Sequence, residues 1–129
     1  DSMKSAIHQT SVDSCYFDVV HRGMERVMTD GTGRWYNIAD LHICGKTGTV
    51  QNPHGEDHAL FIGFAPKDDP QIAVAVAVEN AGFGATYGVP IGSLIIEKYL
   101  NGQIAPERKY IEERMLHSNT IIYSGVRKH

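Results

Sequence analysis

The sequence has few cysteines, no excess of basic charge and no long apolar run. Its 129 residues contain only Cys15 and Cys44, which excludes a multi-disulfide framework. Lys and Arg number 12 against 15 Asp and Glu, and the net charge of -3 argues against a protein that binds nucleic acid by neutralising phosphates. The longest apolar runs, Ile72–Val78 and Val89–Ile96, are too short to cross a bilayer. What is present, 42% hydrophobic and 21% charged residues, is typical of one small globular core.

The first part of the chain predicts a lead-in followed by a helix. Residues 1–12 show no sustained period, whereas from Asp13 onward apolar residues recur at three- and four-residue steps. Asp13 or Ser14 can cap the helix, and the glycines of Thr29–Gly33 end it. The predicted buried stripe consists of Tyr16, Phe17, Val20, Met24, Val27 and Met28.

Three strands are predicted next, over Leu41–Val50, Ala59–Ala65 and Gln71–Glu79, separated by short turns rich in Pro, Gly and Asp. Connections this short favour an antiparallel meander. The third strand alternates Ile or Val with Ala, so both of its faces are apolar. We therefore expect both faces to be covered, with a helix packed closely on the alanine face.

A glycine-rich loop, Asn80–Gly88, is predicted to precede a second helix over Val89–Asn101, with Pro90 in its first turn. A more charged helix runs from Ala105 to about Leu116, and Thr120–Tyr123 is a candidate short strand. The order of elements predicts an α+β fold, with helices packed on a three-stranded antiparallel meander.

One short motif carries chemistry: Lys46-Thr47-Gly48-Thr49 at the end of the first strand. On a strand, Lys46 and Gly48 face one way while Thr47 and Thr49 face the other. A strand at a sheet edge can hold an extended peptide by backbone pairing, and an ammonium with hydroxyls can bind a carboxylate. A backbone N–H near Gly48 can stabilise an oxyanion, and a side chain at Gly48 would obstruct close approach of substrate.

Two other interpretations of this motif were weighed. An ordinary polar strand end accounts for Lys-Thr-Gly taken alone. A phosphate-binding P-loop needs a glycine where this chain has Asp40 and a helix where it has Asn52-Pro53, so that interpretation fails.

From Tyr16 to about Gly102, the chain resembles the C-terminal part of the transpeptidase domain of penicillin-binding proteins. Within that family it resembles the class B, cell-elongation type, and the fold implied is a partial penicillin-binding protein or serine β-lactamase-like fold. The segments that carry the resemblance are Val20–Met24, Gly31–Gly33, Cys44–Gln51, Asp57–Pro66, Ile72–Asn80 and Pro90-Ile91. The implied organisation is a lead-in over 1–12, transpeptidase-domain residues over 13–102, and a helical tail over 103–129.

The resemblance implies an enzyme that cross-links peptidoglycan stem peptides through a serine acyl-enzyme and is acylated by β-lactams. It assigns Lys46 to the proton relay beside the nucleophile, and Thr47 and Thr49 to the substrate carboxylate. It gives the backbone N–H of Thr49 half of the oxyanion hole. It also implies a membrane-anchored protein on the periplasmic side that works with the cell-elongation machinery, without a cofactor or metal.

The nucleophile of that family, the serine of an S-x-x-K motif, is absent. None of the seven serines is followed by lysine three residues later. The single S-x-[N/D] match, Ser11-Val12-Asp13, lies next to the first helix, where Asp13 is explained as its cap. We therefore expect these residues to be a piece of a longer protein and to be inactive alone. The missing neighbour of the third strand would leave a hydrophobic edge, prone to self-association or capped by Thr120–Tyr123.

Other candidate residues have structural explanations. His54 and His58 with Glu56 and Asp57 could hold a metal, but the intervening glycine favours a solvated turn. Cys15 and Cys44 are expected to be small core residues rather than nucleophiles. Trp35 and Tyr36 could line a peptide groove, although covering the core is the favoured role. An alternative function remains open: a non-catalytic module that binds peptides or a partner protein through the exposed strand edge.

Overall fold

The computed structural model describes residues 10–120, which form one three-stranded antiparallel sheet flanked by helices. The helices are α1 (Ser14–Thr29), α2 (Gly84–Asn101) and α3 (Lys109–Leu116), and the strands are β1 (Cys44–Val50), β2 (His58–Ala65) and β3 (Ile72–Val78). Short 3-10 turns cover Arg34–Tyr36, Ala39–Leu41 and Pro106–Arg108. The sheet order is β1-β2-β3, which confirms the predicted α+β meander. No helix in the described part of the chain is long and apolar enough to span a membrane.

The strand register gives the sheet a covered face and an open face. Lys46 pairs with Ile62 across β1 and β2, and Thr47 pairs with Phe61. On the covered face Phe61 is completely buried beneath α2, which packs against β2 and β3. On the open face Ile62 remains 53% exposed. Successive side chains along each strand therefore point alternately into the core and towards a face that the described residues leave uncovered.

The prediction that both faces of β3 are covered is wrong for the described residues. Ile72, Val74 and Val76 pack against the core on the α2 side, whereas the alanines at 73, 75 and 77 are exposed on the open face. Branched side chains bury more apolar area than alanine, so the helix lies on them instead. The close approach that we expected from the alanines is made by Gly88 and Gly92 of α2 against Phe61.

Helix α1 is confirmed, but its predicted stripe is only partly correct. The Asp13 side chain caps it by accepting from the Cys15 N–H at 3.0 Å, and this bond lowers the pKa of Asp13. Tyr16, Phe17 and Val20 are exposed, and Met28 is the one buried residue of the helix. The N-terminal half of α1 therefore projects past the part of β1 that it contacts.

The later turns of α1 hold it to the sheet. The His21 carbonyl accepts from Cys44 Sγ at 3.5 Å, and the His21 ring meets the Phe64 ring edge-on at 4.9 Å between centroids. Glu25 Oε2 accepts from Lys67 Nζ at 2.8 Å, which raises the pKa of Lys67. These contacts place the C-terminal end of α1 beside β1.

The predicted starts of the first strand and of the second helix are wrong. The first strand begins at Cys44 rather than Leu41, because Ala39–Leu41 is a 3-10 turn and His42 has a left-handed φ of 45°. Helix α2 begins at Gly84, inside the stretch predicted as a loop, and Pro90 lies within it. Proline has no N–H to donate to the carbonyl four residues earlier. That carbonyl, of Thr86, accepts from the Arg114 guanidinium at 3.3 Å instead.

The region after α2 folds back onto it through a buried ion pair. Glu97 is 1% exposed and accepts from Arg108 Nε at 2.8 Å and from the Ala105 N–H at 3.0 Å. Arg108 also donates to Ser93 Oγ at 2.9 Å. The predicted helix from Ala105 is thus a 3-10 turn followed by α3. The candidate strand at Thr120–Tyr123 falls almost entirely outside the described residues.

Candidate active site

The Lys-Thr-Gly-Thr motif lies on β1, an edge strand whose partner within residues 10–120 is β2. Lys46 and Thr49 are exposed and Thr47 is half-buried. A side chain at Gly48 would point towards Leu60 on the open face, whereas Thr47 lies beneath α2 on the covered face. The predicted alternation of the ammonium and the hydroxyls across β1 is therefore present.

The Lys46 ammonium lies along its own strand. Its Nζ donates to the carbonyl oxygen of Thr47 at 2.6 Å, and the side chain is exposed on the open face. A single hydrogen bond from a lysine leaves two ammonium protons for other acceptors. Lys46 is thus held against the motif backbone while keeping donor capacity.

A side chain from outside the motif reaches Thr47. The Thr32 Oγ1, in the turn after α1, lies 3.2 Å from Thr47 Oγ1. Sequence reasoning used Gly31-Thr32-Gly33 as the end of the helix and as part of the family resemblance, and missed this contact. The signal available was a threonine enclosed by two glycines, a pattern that indicates a tightly packed turn holding one side chain in place.

The start of α2 packs on the back of β1. A Cβ added at Gly84 would lie 2.8 Å from the Gly48 carbonyl oxygen and 3.2 Å from Thr47 Cβ. Gly48 differs, because a Cβ there would meet only the Leu60 side chain, at 3.4 Å or more. Packing therefore requires glycine at 84 but not at 48. The role we predicted for Gly48, to leave the backbone open to substrate, stays a prediction.

The loop after β1 is tied to the loop after β3. Asn52 donates from Nδ2 to Asn80 Oδ1 at 2.7 Å, and its N–H donates to Asp57 Oδ1 at 3.1 Å. The Asn80 N–H in turn donates to His58 Nδ1 at 3.1 Å. His58 is thus engaged as an acceptor, and residues 10–120 contain no group of three or more side chains placed to hold a metal. These bonds fix the end of β1.

The two cysteines occupy different environments. Cys44 is completely buried, and burial raises its pKa to about 11, so its thiol is protonated at neutral pH and unsuited to nucleophilic attack. Cys15 is exposed, so the expectation that it is a core residue is wrong. It lies at the start of α1, whose first turns project beyond the sheet.

Trp35 and Tyr36, which follow α1, also lie in different environments. Tyr36 packs against the core, as favoured, and its hydroxyl accepts from Arg114 at 2.7 Å. Trp35 is 74% exposed, so a core-covering role is wrong for it, and the Arg34 guanidinium lies over its ring at 4.9 Å.

The fold and the motif strand define a transpeptidase-domain segment, and comparison with known families agrees. The sequence matches the family described as the penicillin binding protein transpeptidase domain over residues 2–97. The chain belongs to this family. Its relatives within the family include members of the MrdA or PBP2 type.

Two relatives show how much of the chain the similarity covers. The peptidoglycan D,D-transpeptidase MrdA of Haemophilus influenzae is 33% identical over 112 residues, which cover 73% of this chain and 17% of the relative. The peptidoglycan D,D-transpeptidase PbpA of Mycobacterium tuberculosis strain H37Rv is 40% identical over 77 residues, which cover 51% of this chain and 15% of the relative. The chain thus spans about a sixth of the length of these relatives.

Two solved structures are similar to nearly three quarters of the chain. Pseudomonas aeruginosa PBP2, in complex with WCK 5153, is 39% identical with a TM-score of 0.61, covering 74% of this chain and 22% of that one. Penicillin-binding protein A of M. tuberculosis, in its imipenem acyl-enzyme complex, is 30% identical with a TM-score of 0.63. The similarity covers 72% of this chain and 21% of that one. The three-stranded sheet and its helices are therefore a part of the penicillin-binding protein fold.

Proposed function

We propose that this chain supplies the substrate-binding strand of a peptidoglycan D,D-transpeptidase that works through a serine acyl-enzyme and is acylated by β-lactams. The observation that carries the proposal is the Lys46–Thr49 motif on the free edge of β1. An extended stem peptide can pair with such an edge as an added strand. The names of the MrdA and PbpA relatives and the imipenem acyl-enzyme complex of the similar M. tuberculosis structure support this substrate class.

The motif residues divide the chemistry between them. Lys46, exposed beside its strand, belongs to the proton relay of the nucleophile, and its positive charge favours an anionic substrate. Thr47 and Thr49 donate their hydroxyls to the substrate or antibiotic carboxylate, and the Thr49 N–H forms half of the oxyanion hole. Gly48 keeps the strand open to the approaching acyl group.

The nucleophile must come from residues other than these. None of the seven serines has lysine three residues after it. The 129 residues alone therefore form no stable acyl-enzyme. The protein that contains them acts on the periplasmic side of the cytoplasmic membrane, anchored there and associated with the cell-elongation machinery.

Labelling with a fluorescent penicillin tests the proposal. The isolated 129-residue chain and the intact gene product that contains it are incubated with the reagent and resolved by denaturing electrophoresis. We expect label on the gene product alone, reduced at least tenfold by Lys46→Ala or by Thr49→Pro, which removes the motif N–H. Lys98→Ala, at an exposed lysine of α2, is the matched control and should label normally. Label on the isolated chain would contradict its inactivity, and an unlabelled gene product would contradict the transpeptidase function.

A second candidate function is self-association through the other sheet edge, and the exposed edge of β3 favours it. Within residues 10–120, β3 pairs only with β2, and its edge carries the apolar run Ile72–Val78. Unpaired backbone groups on an apolar edge favour added strand pairing. Analytical ultracentrifugation of the isolated chain should show a dimer or larger species with slow amide exchange in β3. A monodisperse monomer with fast exchange there would exclude it.

A further inference from the structure

Thr32 is placed beside the motif by a turn that leaves it little freedom. The N–H of Gly31 donates to the Arg26 carbonyl at 2.9 Å, and the N–H of Gly33 donates to the Val27 carbonyl at 2.9 Å. The turn thereby satisfies two of the last carbonyls of α1 and becomes an extension of that helix. Thr32 is attached to a rigid element and not to a free loop.

The two flanking glycines are required by packing. A Cβ at Gly31 would lie 2.9 Å from Val27 Cα, and a Cβ at Gly33 would overlap the Met28 sulfur. Met28 is completely buried, so a side chain at Gly33 would have to displace a methionine of the core. The backbone on both sides of Thr32 therefore packs directly against α1.

The contact that results joins two hydroxyls. Thr32 Oγ1 and Thr47 Oγ1 are 3.2 Å apart, and either atom can be the donor. A hydroxyl has one proton and two acceptor lone pairs. Thr47 can give its proton to a carboxylate only while it accepts, rather than donates, at Thr32. When a carboxylate is bound, Thr32 must therefore be the donor.

We infer that Thr32 is a positioning residue: it donates to Thr47 and holds the Thr47 proton aimed at the substrate or antibiotic carboxylate. The inference rests on the proposed function, in which Thr47 binds that carboxylate. Donation into Thr47 also polarises its O–H bond, which strengthens the bond it makes. Thr32 itself does not touch the reacting atoms.

The neighbouring cation does not take this role. Arg34 Nη1 donates to the Gly31 carbonyl at 3.3 Å, and its guanidinium lies over the Trp35 ring. Arg34 therefore stabilises the turn, and Thr32 is the side chain through which the turn reaches the motif.

The test compares Thr32→Val with Thr32→Ser in the intact gene product. Valine keeps the shape of threonine and removes the hydroxyl, whereas serine keeps the hydroxyl. A net hydrogen bond changes an equilibrium by roughly threefold to tenfold. We expect Thr32→Val to weaken the reversible binding of a fluorescent penicillin by that factor, with the rate of acylation at saturation unchanged. Thr32→Ser should behave as the unmodified protein.

A double variant provides the second readout. If Thr32 acts through Thr47, Thr32→Val should have no further effect in a Thr47→Val background. Equal binding by Thr32→Val and the unmodified protein, or additive losses in the double variant, would overturn the inference while leaving the proposed function intact. A gene product that takes no label before any substitution overturns the proposed function, and the inference with it.

Discussion

Gly92 of α2 lies so close to Phe61 of β2 that a Cβ on it would overlap the aromatic ring. Phe61 is completely buried, and added Cβ atoms at Gly45 and Gly63 would also collide with its ring. The Phe61 ring therefore fills the space that side chains at Gly92 of the helix and at Gly45 and Gly63 of the sheet would need. Helix α2 is held close to the strands by the absence of side chains at these glycines.

Gly92→Ala should destabilise the protein, although alanine is the better helix former. Overpacking a core costs about 1–3 kcal/mol, against a gain of at most about 1 kcal/mol from replacing a helical glycine. We expect a net loss near 1 kcal/mol in the free energy of unfolding, measured with urea. Gly23→Ala is the matched control, because Gly23 lies within α1 with nothing near its missing Cβ. It should gain about 0.5–1 kcal/mol, and the same sign for both variants would refute the packing argument.

Alanine at Gly84 should destabilise the protein, whereas alanine at Gly48 should leave its stability almost unchanged. Gly48→Ala meets only the Leu60 side chain at an ordinary distance, so its unfolding free energy should change by less than about 0.5 kcal/mol. Gly84→Ala would meet the Gly48 carbonyl at 2.8 Å and should lose about 1–3 kcal/mol. In the intact gene product, Gly48→Ala should still lower the rate of penicillin acylation by tenfold or more. Normal acylation with normal stability would remove the role assigned to Gly48.

Replacing Arg108 should leave a buried charge without its partner. Glu97 is 1% exposed and Arg108 13% exposed in its side chain, so the pair is shielded from water. Removing one partner of a buried ion pair costs about 3–5 kcal/mol. Arg108→Met should lose that much in urea unfolding, while the adjacent exposed Lys109→Met should lose almost nothing. Adding Glu97→Gln to Arg108→Met should recover part of the loss. A double variant less stable than Arg108→Met would mean that the hydrogen bonds of Glu97 outweigh its charge.

The buried thiol of Cys44 predicts a loss of stability in alkali. Burial raises the pKa of Cys44 from 9.0 to about 11, so the folded state retains a proton that the unfolded state has released. The part of the free energy of unfolding that depends on the protonated thiol is fully present below pH 9. It is lost as the pH rises through 11. The loss should be on the order of 1–2 kcal/mol at pH 10.5. Cys44→Ala should reduce the decline between pH 8.5 and 10.5, and an unchanged decline would show that other groups cause it.

The difference in solvent exposure between Cys15 and Cys44 can be measured by thiol modification. Iodoacetamide at pH 8 should modify the exposed Cys15 and leave the buried Cys44 unmodified in the folded chain. Both should react in denaturant. Rapid modification of Cys44 without denaturant would mean that β1 opens readily at its start.

The sheet could be predicted from the sequence because its strands alternate and its turns are marked by Pro, Gly and Asp. The alternation of the motif side chains on β1 followed from the same two-residue period, whereas the motif itself was identified by its residue types. What failed depended on contacts between distant residues. The start of α2 was misplaced because Pro90 was assigned to its first turn. In the structure Pro90 lies inside the helix, and the Thr86 carbonyl that it cannot pair with accepts from Arg114 of α3. No local pattern around Pro90 contains that information.

In the candidate site, too, the sequence predicted the residues that are adjacent in the chain and missed the one that is brought in by folding. Lys46 to Thr49 are contiguous, so one short segment revealed them, whereas Thr32 reaches Thr47 only after the turn is folded against Met28. The exposed alanines of β3 were misjudged because two apolar faces look alike in a sequence, and only the position of α2 tells them apart.

The ion pair between Glu97 and Arg108 has a consequence for how homologous sequences diverge. The family match ends at residue 97, whose carboxylate depends on a guanidinium from the region that follows. Neither position can change its charge alone without a large loss of stability. The two positions should therefore covary: homologues with an apolar residue at one should carry an apolar residue at the other, even where the intervening loop differs in length.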